Sequence, residues 1–216
     1  MEQERIPPKV IVLGTIHKLH HKISYYSMKV LKNLIKKINS DIICAELSQD
    51  QLDGIITCKS KPEYPEIIIP LASKEGYNII PIQPNTPEGM AWGKERDLVI
   101  KRMKEELIEN IRLECYYEFE RIFQKIVVCE NLKMLQSKRF DLLYEMAYEY
   151  CKKLLPSLWE VKEKWNMKFY EKISATIKEN PRKKILITVG LAHKFWLNKK
   201  LSQRNDIFIE YIENYL

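Results

Sequence analysis

Two of the chain's four histidines stand in matched settings. Val10-Ile11-Val12-Leu13 is an apolar run that leads into Gly14-Thr15-Ile16-His17, and Ile185-Leu186-Ile187-Thr188-Val189 leads into Gly190-Leu191-Ala192-His193. A third run, Asp41-Ile42-Ile43-Cys44-Ala45, ends in Glu46. Neutral imidazole binds zinc, manganese, cobalt or iron through one ring nitrogen. A carboxylate that ends an apolar run must be solvated, paired or bound to a cation. Brought together, His17, His193 and Glu46 could hold a divalent ion, with Glu46 as a ligand or as a base on metal-bound water. Each also has an ordinary reading: hydrogen-bonded histidines at a sheet edge, and a solvated glutamate at a helix start. Gly14 and Gly190 would let the backbone turn sharply or approach a neighbour closely.

Other residues are candidates for support. Thr15 could hydrogen-bond within its turn. His20 and His21 read as surface residues, His20 being the nearer auxiliary. Arg96, beside Asp97, could bind a substrate carboxylate, or simply form a charge pair at a helix start. Asn166 is a polar residue on a helix, next to Trp165. Dinucleotide, Walker-type, Gly-x-Ser-x-Gly and His-Glu-x-x-His patterns are absent from the sequence.

These residues need strands to carry them. The apolar runs at about 9–13, 41–45, 78–82 and 185–189 read as buried strands. Met28, Leu31, Leu34, Ile35 and Ile38 lie at helical spacing between the first two, giving a βαβ unit with parallel strands. Lys59 to Pro65 reads as loop, Pro65-Glu66 as a helix start and Gly76 as its stop. Pro81 places the third strand at an edge. Pro84, Pro87, Gly89 and Gly93 read as another loop. The span 94–156 is expected to be a helical insertion of two long helices broken near Gln136-Ser137. Helices follow at 157–178 and 191–201, and 206–212 alternates as an edge strand would. The predicted fold is α/β: a mostly parallel sheet built from both ends of a single 1–216 domain, with a helical roof. In such sheets ligands gather beyond the carboxyl ends of the strands.

Composition narrows the function class. With 216 residues and 45% hydrophobic residues, the chain can bury one substantial core. The net charge of +7 arises from 36 basic and 29 acidic residues. They are interleaved along the helices, so they read as solvated faces, and nucleic acid is not the expected partner. Five widely spaced cysteines without a Cys-x-x-Cys pair argue against a structural zinc site and for a reducing, cytoplasmic setting. The charged start, with Pro7-Pro8, carries no apolar signal core, and no run is long enough to span a bilayer. Residues 1–8 are expected to form a short tail, and homo-oligomerisation is compatible with this composition.

The motifs resemble those of the Tiki/TraB superfamily, with its GumN-like, ChaN-like and erythromycin-esterase-like branches. Gly14-Thr15-Ile16-His17 is similar to the first family motif, Ile42 to Leu47 to the segment ending in its glutamate, and Gly190-Leu191-Ala192-His193 to the second motif. Relatives carry an Arg-Asn or Arg-Asp pair on a helix before that second motif. Here Trp165-Asn166 stands there, so the asparagine carries over and the arginine does not. The likeness covers about 9–82 and 157–212. It implies a metal-dependent hydrolase, most closely a Tiki-like peptidase, with manganese, cobalt or zinc at His17, Glu46 and His193. The alternative it implies is a TraB- or ChaN-like module that binds a peptide or small molecule without turnover.

Overall fold

The computed structural model describes residues 6–216, so the expected tail lies partly outside the described residues. The strands are β1 (Lys9–Thr15), β2 (Ile42–Ala45), β3 (Asn78–Pro81), β4 (Lys184–Gly190) and β5 (Phe208–Ile209). They form one sheet in the order β3-β2-β4-β1-β5, and every pairing is parallel. The α/β reading of the sequence is therefore correct. β4, from the far end of the chain, lies between β1 and β2. Its register sets Thr15 opposite Gly190, and Ala45 opposite Thr188.

The inner strands are apolar throughout because both faces are covered. Ile11, Leu13, Ile43 and Leu186 face a core shared with helix α1 (Met28–Ile38). Val10, Val12, Ile42, Cys44, Ile185 and Ile187 face the opposite core. Ser27 precedes α1, and Asn39 ends it in the left-handed conformation with φ 50°. A short helix α2 (Gln49–Leu52) carries a full capping box from Ser48 and Gln51. A helical turn at Tyr64–Ile68 leads into α3 (Ile69–Glu75), which stops at Gly76, φ 78°. Pro81 lies on an edge strand, as proline requires there. The last strand is shorter than 206–212: only Phe208 and Ile209 pair with β1, and a 3-10 turn follows at Ile212–Tyr215.

Between β3 and β4 the chain is helical: α4 (Thr86–Glu105), α5 (Leu107–Cys129), α6 (Leu132–Gln136), α7 (Lys138–Leu154) and α8 (Pro156–Glu179). The loop expected around Gly89 and Gly93 is the first part of α4. Asn85 caps it, accepting from the Glu88 N–H at 3.0 Å, and Pro87 sits in the first turn where its missing donor costs nothing. A Cβ at Gly89 would lie 3.2 Å from the Trp165 ring, so this glycine sits in close packing. The break expected near Gln136-Ser137 is present, with Ser137 capping α7, but further breaks at Glu106 and at Glu130-Asn131 divide the span into more than two helices. Helix α8 returns to the sheet with Phe169, Ile173 and Ile177.

The roof is tied down by buried polar contacts. Gln136 reads both groups of Gly14: its Oε1 accepts from the Gly14 N–H at 3.1 Å, and its Nε2 donates to the Gly14 carbonyl at 2.8 Å. Helix α9 (Leu191–Leu201) sends Lys194, only 1% exposed, to Asp141 on α7. Asn198 donates to the other Asp141 oxygen at 2.7 Å. All five cysteines are free. Among the described residues no helix is long and apolar enough to cross a membrane.

Candidate functional site

The site is built at the carboxyl ends of β1, β2 and β4. His17 lies two residues beyond β1, Glu46 one beyond β2, and His193 in the first turn of α9 beyond β4. Because β4 is central, Gly190 stands between the other two. Its N–H donates to Glu46 Oε2 at 2.6 Å. From the other side, His17 comes so close that a Cβ on Gly190 would lie 2.8 Å from His17 Nε2. Gly190 has φ −57°, so here glycine serves close approach and not an unusual turn. The turn itself is taken by His17, at φ 50°. Gly14 also makes room: a Cβ there would lie 2.5 Å from Leu191 Cδ2 and 2.8 Å from Lys194 Cδ.

Each imidazole is anchored through Nδ1. His17 Nδ1 meets Glu63 Oε1 at 2.7 Å, and His193 Nδ1 meets Asn166 Oδ1 at 2.6 Å. Both partners accept, which assigns the proton to Nδ1 and the lone pair to Nε2. His193 Nε2 lies 3.8 Å from Glu46 Oε1. The His193 lone pair is thus held beside the carboxylate, and His17 Nε2 lies across Gly190 from it. Thr15 is buried, and its hydroxyl lies 3.5 Å from His17 Nδ1.

Glu46 is buried and fully partnered. Lys61 donates to its Oε1 at 2.8 Å and to its carbonyl at 2.9 Å. Its N–H donates to the Tyr64 hydroxyl at 3.0 Å, and that hydroxyl donates to the Thr188 carbonyl at 2.9 Å. Burial would raise the Glu46 carboxyl. The Lys61 ammonium and the two imidazoles outweigh it and hold the group down to about 2. Burial lowers His193 to about 4, against the pull of Glu46. At neutral pH, Glu46 is therefore an anion and His193 is neutral, so Lys61 is the cation that compensates Glu46. Gly190 is also the N-cap of α9, whose dipole favours negative charge there.

Lys61, Glu63 and Tyr64 come from the segment expected to be a plain loop. Lys61 is 8% exposed and Glu63 is fully buried. Glu63 Oε2 is buried without a partner. No spacing in the sequence marks these residues. The prolines at 62 and 65, which bracket Glu63-Tyr64 rigidly, are the one local hint. His20 is not a surface residue. It is 1% exposed, accepts from the Ile16 N–H at 3.2 Å and donates to the Tyr26 carbonyl at 2.6 Å, so it braces the His17 turn. Arg96 is exposed and paired with Asp97 at 2.7 Å, yet it reaches the rim of the cavity beside the site. That cavity, about 330 Å³, has Glu46, Lys61, Asn166 and His193 at one end, and elsewhere roof aromatics together with Arg96, Glu120 and Lys162.

The donor set for a metal consists of two open imidazole nitrogens, while both Glu46 oxygens have protein partners. Among the described residues no group of three or more His, Cys, Asp or Glu side chains is arranged as a ready-made metal cluster. The chemistry fits an ion held by two anchored imidazoles next to a compensated carboxylate. No family model, curated protein or solved structure matches the chain.

Proposed function

We propose that this chain is a metal-dependent hydrolase of carbonyl compounds, of the Tiki-like peptidase type, acting in the reducing cytoplasm. The observation that carries the reading is the anchoring of both imidazoles. Glu63 and Asn166 hold Nδ1, which leaves the His193 Nε2 lone pair 3.8 Å from Glu46 and that of His17 across Gly190. Imidazoles held this way are the usual ligands of catalytic metals. His17 and His193 would hold manganese, cobalt or zinc, with Glu46 alongside as a further ligand or as a base. When bound, the ion would supply Lewis acidity and an acidified water.

The chain's own residues do the rest. Glu63 and Asn166 fix tautomer and ring orientation. Lys61 keeps Glu46 ionised. Two of the three Lys61 ammonium protons go to Glu46, leaving one for a carbonyl oxygen in the cavity that Lys61 lines.

The test is hydrolysis of a peptide mixture and a panel of aryl esters and anilides, with each ion added in turn. Ion-dependent turnover is expected, lost in His17→Ala, His193→Ala and Glu46→Gln. Absence of ion binding near stoichiometry, together with no turnover, would overturn the reading. One observation favours a second reading, a binding module without turnover: Lys61 already gives Glu46 the positive charge that an ion would bring. Cleavage abolished by Glu46→Gln excludes it.

A further inference from the structure

The cavity beside Glu46 and His193 has a wall whose chemistry differs sharply from its floor. The rings are locked edge to face: Tyr148 on Trp159 at 5.2 Å and 69°, Tyr116 on Trp159 at 5.6 Å and 86°, Phe169 on His193 at 5.1 Å and 62°. Phe123 and Tyr144 stack at 4.2 Å. The Tyr116 hydroxyl is already engaged, donating to Glu120 at 2.8 Å and accepting from Lys162 at 2.7 Å. The wall is mostly ring surface, interrupted by the linked polar groups of Tyr116, Glu120 and Lys162.

The charged side chains that reach the cavity are all compensated. Lys61 pairs with Glu46, and Arg96 with Asp97. Lys162 donates to the Tyr116 hydroxyl at 2.7 Å, lies 4.0 Å from Glu120, and sits 4.4 Å over both the Tyr116 and Trp159 rings. Among the described residues each charge at the cavity already has a partner, so an ionised ligand buried there would lose hydration for little return. The volume, about 330 Å³, is at the small end of ligand pockets.

Resting on the hydrolase reading, we propose that the substrate is a small, uncharged ester or amide bearing an aromatic ring. The ring would stack among the roof aromatics and the carbonyl would meet Lys61, Glu46 and His193. In the reaction, water oxygen bonds to the acyl carbon, the acyl C–O or C–N bond breaks, and the leaving oxygen or nitrogen takes a proton from that water.

Calorimetric titration of the full chain with three probes tests this. These are 2-naphthamide (neutral, aromatic), 2-naphthoate (the same rings as an anion) and butyramide (neutral, without a ring). Saturable one-to-one binding of 2-naphthamide is expected, with the other two at least tenfold weaker. Ala147, on the cavity wall, allows a filling variant. Ala147→Phe, with Ala147→Leu as the milder form, should weaken 2-naphthamide at least tenfold while circular dichroism stays unchanged. Equal or tighter binding of 2-naphthoate or butyramide, no saturable binding of 2-naphthamide, or indifference of both folded variants overturns the proposal. Turnover of 2-naphthyl acetate, followed in parallel with added ions, separates the two readings. Ring-selective binding without turnover upholds the ligand class and removes the hydrolase. Turnover unaffected by filling does the reverse.

Discussion

Glu63 and His17, 46 positions apart, meet at 2.7 Å between Glu63 Oε1 and His17 Nδ1, with the carboxylate fully buried. A buried carboxylate behind an imidazole fixes the tautomer and raises the basicity of the far nitrogen. Glu63→Gln keeps an acceptor oxygen but removes the charge. It is expected to lower kcat/KM and ion affinity about 10- to 100-fold, the usual effect of losing such a partner. Kinetics and metal titration on the folded variant check this, and unchanged values would show that the pair is only structural.

The two glycines of the matched motifs should fail in different ways. In Gly190→Ala the new methyl meets His17 Nε2 at 2.8 Å and Glu46 Oε2 at 3.5 Å, inside the site. In Gly14→Ala it meets the ends of Leu191 and Lys194, in the packing beneath it. Both overpackings are expected to cost about 1–3 kcal/mol. Only Gly190→Ala should abolish activity in the protein that remains folded. Urea unfolding and activity per folded molecule separate the two. Equal activities in both variants would deny Gly190 its role as the clearance between His17 and Glu46.

Much of this site could be read from the chain because strand ends announce themselves. A β-branched run that stops at a glycine or a charge tells where the backbone leaves the sheet, and the α/β pattern tells which edge it leaves from. His17, Glu46 and His193 were legible in that way, whereas Asn166, inside a helix, was marked only by the likeness of Trp165-Asn166 to a family pair. Lys61 and Glu63 were not. Their local context, Lys59-Ser60-Lys61-Pro62-Glu63-Tyr64-Pro65, has the composition of a solvated turn. Only contacts made 15 and 46 residues away in sequence bury them. Gln136 was hidden for the same reason, since its value lies in a strand 122 residues distant. The glycines of α4 misled in the opposite sense. Gly89 marks close packing against Trp165 where composition suggested a loop.

Lys61 stands where a divalent cation would also satisfy Glu46, and that competition can be measured. Lys61→Met leaves a buried carboxylate uncompensated, and breaking a buried pair from one side is expected to cost about 3–5 kcal/mol. The double variant Lys61→Met/Glu46→Gln should recover most of the loss. In Lys61→Met, added manganese or zinc should raise the unfolding midpoint more than in the parent chain, because the ion takes over the role of the ammonium. At about a hundred times Kd the gain reaches about 2.7 kcal/mol. A larger midpoint shift in the parent than in Lys61→Met would mean that Glu46 takes no part in binding the ion.

The same groups predict how stability depends on pH in metal-free buffer. His193 titrates at about 4 in the folded chain against an ordinary 6.5, because burial disfavours its charged form. Between those values the unfolded chain binds a proton that the folded chain refuses, so stability falls as pH falls. His20, lowered by burial despite its bond to the Tyr26 carbonyl, adds to the same window with the same sign. Glu46 is held down to about 2 against an ordinary 4.5, so its contribution is complete above 4.5 and is lost as pH drops through about 2. The unfolding midpoint in urea should therefore decline from about pH 6.5 and keep declining to the acid limit. His193→Gln should flatten the upper part, leaving the share due to His20, and Glu46→Gln should flatten the lower part. A midpoint that rises on acidification between pH 6.5 and 4 would mean that His193 is stabilised as the cation. Its Nε2 lone pair would then not be available at neutral pH.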